Sequence, residues 1–172
     1  MSREVAEAFR AAVPGCSVFS SAGGSPASCA AGLAVLRAIR AEGLQSNAAN
    51  VGAYLRARFD KLAKMYPSII GAIHGDGLYM GIELVRQLKV FNRHGDFLDV
   101  ALEPATAETR AICERLLELG IVCQPAGARS NVLKMKPPLC LSLKSASFVA
   151  DQIEVIMRDG WGGVPPALVE SK

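Results

Sequence analysis

The sequence has no C-x-x-C pair, no basic stripe interleaved with aromatics and no apolar run long enough to cross a bilayer. Each absence removes a class of function. The five cysteines, Cys16, Cys29, Cys113, Cys123 and Cys140, are odd in number and scattered through apolar segments. That pattern suits neither a zinc site nor a disulfide framework, so no metal is expected. It predicts reduced, mostly buried thiols in a cytoplasmic protein. Aromatics make up only 6% of the chain, and the net charge of +3 comes from interspersed acids and bases. Nucleic acid is therefore not an expected partner. The stretch from Met1 to Phe9 is charged and lacks the apolar core of a signal peptide. Short apolar runs likewise argue against a membrane partner. Internal repeats and low-complexity segments are absent.

What the chain does have is material for a core. Half of its 172 residues (51%) are hydrophobic and 20% are charged, which suits one folded domain or a piece of something larger. Ser2 to Val13 reads as a helix with Val5, Phe9 and Val13 at helical spacing, closed by Pro14-Gly15. A second helix runs from Pro26 to about Glu42, with Cys29, Leu33, Leu36 and Ile39 or Arg40 marking an inward stripe. Its many alanines suit close packing on another surface, such as a second subunit. Leu44 to Tyr66 is a third helix, with Val51, Leu55, Phe59 and Leu62 on one face.

Ile69 to Ile73 and Leu78 to Val85 alternate as two strands joined by His74-Gly75-Asp76-Gly77. Arg86 to Ala105 reads as an irregular exposed insertion with a turn at Asn92 to Asp96 and a solvent-facing His94. Thr106 is expected to cap a helix through Leu119. Ile121 to Gln124 and Asn131 to Lys136 are short strands, and Ser142 opens a last helix with Ala146, Val149, Ile153 and Ile156 inward. The order predicts an α+β fold, helices packed on a small sheet.

Two stretches carry chemistry. The first is Ser20-Ser21-Ala22-Gly23-Gly24-Ser25-Pro26-Ala27-Ser28-Cys29. Ser25 suits the N-cap and Pro26 the first helical position, and glycines permit close backbone approach. Free N–H groups at such a helix start can hold an anion such as phosphate, although an ordinary capped loop has the same composition. The second is Asn131-Val132-Leu133-Lys134-Met135-Lys136-Pro137-Pro138-Leu139, where Lys134 and Lys136 read either as exposed strand charges or as ligands. His74 lies in a turn and has no carboxylate or nucleophile that the sequence marks as its partner, which favours a structural role over a catalytic one.

The run Phe19 to Leu36 resembles the class III aminotransferase segment F-x-T-F-G-G-N-P-V-S-C-A-A-G-L-A-V-L. Enzymes of that family use pyridoxal 5′-phosphate. The resemblance implies that Ser21, at the family's threonine, and the adjacent Ala22 meet the cofactor phosphate, which in the family belongs to the neighbouring subunit. It also implies a homodimer, or association with a large domain, and the C-terminal small domain of the fold-type I architecture. The block from Asn131 is similar to the family's N-V-L-K-I-R-P-P-L. Many relatives place a carboxylate-binding arginine three residues before the first proline, where this sequence has Lys134. Arginine grips a carboxylate bidentately and lysine does not. The L-K-x-K-P-P form, with Pro104-Ala105-Thr106-Ala107-Glu108, resembles the ethanolamine-phosphate and phosphohydroxylysine phospho-lyases. Family members read R-G-x-G-L where His74-Gly75-Asp76-Gly77-Leu78 stands.

None of the seven lysines (Lys61, Lys64, Lys89, Lys134, Lys136, Lys144 and Lys172) has the family's cofactor-lysine context. The resemblance therefore implies residues 1–43 as a phosphate-loop and dimer-interface segment continuing from a large domain, 44–160 as the small domain and 161–172 as a loose tail. Function is expected to be that of a transaminase, or of a phospho-lyase acting on a small amine or phosphoamine such as ethanolamine phosphate. The chain alone is expected to be inactive. The alternative is a truncated, non-catalytic interaction module that pairs with an intact relative.

Overall fold

The structure is a computed structural model that describes residues 2–15 and 23–159. It divides into two compact units, residues 1–42 and 43–172. The first holds α1 (Arg3–Ala12) and α2 (Pro26–Ala41). Ser2 caps α1 by accepting from the Val5 N–H, and Ser25 caps α2 by accepting from the Ser28 N–H, with Pro26 opening the helix. Both starts match the sequence reading. The inward stripe of α2 does not: neither helix has a buried residue, and Leu33, Val35 and Leu36 of α2 are all exposed.

The second unit runs α3 (Leu44–Met65), β1 (Ile70–Asp76), β2 (Tyr79–Phe91), β3 (Phe97–Pro104), α4 (Thr106–Glu118), β4 (Gln124–Ala126), β5 (Val132–Met135) and α5 (Leu143–Arg158). This is the expected α+β architecture. One sheet has the order β1-β2-β5-β4, and β3 pairs with the far half of β2. All pairings are antiparallel. Alternation along β2 and β5 sends Met80, Ile82, Leu84 and Leu133 into the core. There they join Leu55, Phe59 and Leu62 of α3, Ile112 and Leu116 of α4, and Ile153 and Ile156 of α5. The periodic positions of α3 are all buried, as their spacing requires.

Three stretches differ from the sequence reading, each for a local reason. The expected insertion after Arg86 is instead a β-hairpin, since β2 continues to Phe91 and β3 returns along it. The turn falls where expected: Asn92 Oδ1 accepts from the N–H groups of His94 at 2.8 Å and Asp96 at 2.9 Å. Because Phe91, Phe97, Leu98 and Leu102 are exposed, this ribbon has no burial pattern for the sequence to display. Thr106 is not a cap. Ala105 holds the N-cap position, fixed to the sheet by its N–H to the Leu84 carbonyl at 3.1 Å, while the Thr106 hydroxyl donates to the Arg129 carbonyl.

The strand expected at Ile121 begins only at Gln124. The end of α4 uses the intervening chain: the Gly120 N–H donates to Leu117 and the Ile121 N–H to Leu116. This is a Schellman closure with Gly120 at φ +80°.

Helices α3 and α5 are also joined at their rims. Arg58 donates to Asp151 at 2.7 Å and to Glu154 at 2.9 Å, with about a quarter of its side chain (24%) exposed. Such partly screened pairs contribute modestly. Arg58→Met is expected to lower unfolding free energy by about 1 kcal/mol, measured by urea denaturation.

Candidate active-site face of the sheet

Lys134 lies on β5 opposite Gly81 of β2 and Gln124 of β4, and Gly81 in turn faces His74 of β1. These four positions form one row across the sheet. Facing residues share a side, so the row lies on the face opposite the buried Ile82 and Leu133. Gly81, at its centre, is buried, with the Val132 side chain over it. A Cβ there would come within 2.8 Å of Val132 Cγ1, so the tight packing of β2 on β5 requires glycine. With neighbouring strands about 4.8 Å apart, the His74 and Lys134 positions stand about 10 Å from each other across Gly81.

His74 does have a carboxylate partner. Its Nε2 lies 2.8 Å from Glu83 Oε2, across the hairpin and nine residues away in sequence. Glu83 Oε1 accepts from Asn131 Nδ2 at 3.4 Å, and the same amide donates to the Leu84 carbonyl at 3.0 Å. Asn131 is 4% exposed, so its amide must be satisfied internally. Glu83 and Asn131 are the site residues that the sequence alone does not reveal. Only strand register brings them to His74. Asn131→Ala, which removes one of the two donors to the Leu84 carbonyl and the amide contact to Glu83, is expected to cost about 1 kcal/mol, read from the thermal midpoint.

The Lys134 ammonium makes no ion pair among the described residues. It is half-buried, so an anion reaching it would meet a partly desolvated charge. Lys136 is exposed beyond the end of β5 and outside this row. Ser21 and Ala22 lie outside the described residues. On their C-terminal side, Gly24 at φ +81° leads to the Ser25 cap and the first turn of α2.

Among the described residues no group of three or more His, Cys, Asp or Glu could hold a metal ion, and no helix is long and apolar enough to cross a membrane. The thiols are less buried than expected. Cys113 is buried and Cys123 intermediate, but Cys29 and Cys140 are exposed, and Cys16 lies outside the described residues.

A capped helix followed by a small antiparallel sheet packed on helices has counterparts among known proteins. Residues 2–157 match the family model for class III aminotransferases. The chain belongs to the class III aminotransferase family. It is 38% identical over 141 residues to alanine–glyoxylate aminotransferase 2 homolog 2, mitochondrial, of Arabidopsis thaliana, covering 82% of this chain and 27% of that protein. An alanine/serine racemase of Pyrococcus horikoshii is 31% identical over 135 residues, covering 78% of this chain and 26% of its own length. Among solved structures, a phospholyase from Arthrobacter in complex with phosphoethanolamine superposes with a TM-score of 0.71 at 30% identity. That match covers 95% of this chain and 34% of the other. The chain thus spans about a quarter of the length of these curated relatives and shares the fold-type I aminotransferase architecture.

Class III aminotransferases work through pyridoxal 5′-phosphate. The described residues offer one end of that cofactor little more than Gly24 at φ +81° and the Ala27 N–H, since Pro26 has no N–H and the Ser28 N–H is taken by Ser25. They do not fit its reacting end. Of the described lysines, Lys61 and Lys64 lie on α3, Lys89 on the β2–β3 ribbon, Lys134 and Lys136 on or just after β5, and Lys144 on α5. None stands beside the α2 loop in sequence, and no step through the cofactor is derived from this chain.

Proposed function

We propose that this chain supplies the substrate-facing sheet and part of the phosphate cradle of a pyridoxal 5′-phosphate-dependent enzyme, either a transaminase or a phospho-lyase. The observation that carries the reading is the half-buried Lys134 ammonium, which makes no ion pair among the described residues and stands in one row with Gly81 and His74. A point charge there takes the anionic end of a small amine substrate, a carboxylate or a phosphate. The lysine favours phosphate, since it lacks the planar fork that matches a carboxylate. The fold match with a phosphoethanolamine-bound phospholyase supports that preference. Ser21 and Ala22 are proposed to meet the cofactor phosphate through hydroxyl and backbone N–H. The Schiff-base lysine is proposed to come from a large domain, so the chain alone is inactive.

Association is part of the same proposal. Leu33, Val35 and Leu36 stand exposed on α2, which has no buried residue. They suit a homodimer or a large-domain contact better than solvent.

The test uses native material: intact mass, sedimentation and an absorbance scan, followed by product analysis with ethanolamine phosphate. A longer, cofactor-coloured dimer that releases inorganic phosphate and aldehyde supports the phospho-lyase, and amino transfer to a keto acid supports the transaminase. A colourless protein of 172 residues that sediments as a discrete monomer or dimer would overturn the enzyme reading for this chain. It would favour an interaction module that pairs with an intact relative.

A further inference from the structure

Helices α3, α4 and α5 do not close completely over the end of the sheet. Between them and β5 lies a cavity of about 150 Å³, walled by Leu55, Leu116, Leu133, Val149 and Ile153. All but Val149 are 3% exposed or less. The chain leading from α4 to β4 forms one rim, where Val122 is 81% exposed, which gives small molecules a way in.

The wall has no polar group in need of a partner. Among the described residues no acid lines the cavity. Its two charged residues put no charge inside it, since Lys134 stands in the row on the face opposite Leu133 and Lys136 is exposed. The Cys123 thiol donates to the Lys134 carbonyl at 3.5 Å, so its hydrogen bond is already made. Buried side-chain polar atoms without a partner occur at Arg86 and Glu108, and neither residue borders the cavity. A water needs about two to four polar partners to be held, so this space favours an apolar occupant.

We propose that this cavity is a binding site for a small, uncharged, apolar molecule the size of a single aromatic ring. A cavity of this volume with aliphatic walls takes a molecule of about six carbons. Met135, in the same wall, is unbranched and polarisable, so it adapts to a ring and favours its edge. A ligand seated there packs on Leu133, which faces Ile82 on the neighbouring strand, and so bears on β5 from the side opposite Lys134.

The site is independent of the proposed enzymatic role. The test titrates the 172-residue chain with benzene and follows its methyl resonances. Ring-current shifts are expected at Leu116, Leu133, Val149 and Ile153, saturating together with a Kd of about 1 mM. The exposed Leu143 of α5 should not follow them. At ten times Kd the thermal midpoint should rise by roughly 4 °C. Val149→Phe fills the cavity from a half-buried position and should weaken binding at least about tenfold. Ile121→Phe does the same from the rim if that variant folds poorly. Core methyls that stay unmoved, cross-relaxation that places water against them, or undiminished binding in the filled variants overturns the proposal.

Discussion

Gly52→Ala is expected to destabilise the second unit by about 3 kcal/mol, although helix propensity alone points the other way. Alanine in a helix interior is favoured over glycine by about 1 kcal/mol. Against that, a Cβ on Gly52 would stand 2.4 Å from the carbonyl carbon and oxygen of Gly77 and 2.5 Å from its Cα. All three are backbone atoms, so no rotamer change relieves the clash. Either α3 or the β1–β2 turn must move. That turn is itself held, with Gly77 at φ +54° and its N–H donating to Asp76 Oδ1 at 2.8 Å. The thermal midpoint is expected to fall by roughly 10 °C. Ala57→Gly, at an exposed site on the same helix, should cost no more than about 1 kcal/mol. A rise in the midpoint of Gly52→Ala would show that α3 and the turn do not meet this closely. Because β1 carries His74, a displaced turn should also disturb the His74–Glu83 contact, visible as a shift of the His74 ring resonances.

Close packing of this kind is what a single sequence conceals. Helix α3 is legible because Val51, Leu55, Phe59 and Leu62 repeat at helical spacing and all point into one core. The starts of α2 and α5 are legible because capping is local, with Ser25 and Ser142 each accepting from the N–H three residues on. Gly52 and Gly77 are ordinary in the sequence, and their contact exists only once α3 crosses the hairpin. The same holds for the candidate site. Lys134 can be singled out from its motif, but its neighbours Gly81, His74 and Gln124 are set by strand register. The β2–β3 ribbon escapes for the opposite reason, because Val90, Phe91, Phe97, Leu98 and Leu102 are all exposed and mark no buried face. On α2 the periodicity is real, but the residues it marks are exposed.

Lys134→Met is the change expected to alter catalysis most. Methionine keeps an unbranched apolar stem of similar length while removing the ammonium. Loss of a charge-assisted contact to a substrate anion is expected to cost about 2–3 kcal/mol, roughly a 30- to 150-fold fall in kcat/KM. The assay belongs in the cofactor-containing enzyme, with a phosphoamine and a neutral amine of similar size compared side by side. Only the anionic substrate should suffer, because only it engages the charge. Lys134→Arg separates the two candidate chemistries. A guanidinium restores charge and adds the bidentate geometry suited to a carboxylate, so it should recover amino-acid substrates more fully than phosphoamines if Lys134 is tuned to phosphate. Stability should hardly change in either variant, since Lys134 is only half-buried and makes no ion pair among the described residues. Equal losses on neutral and anionic amines would remove Lys134 from the substrate site and leave it an ordinary strand charge.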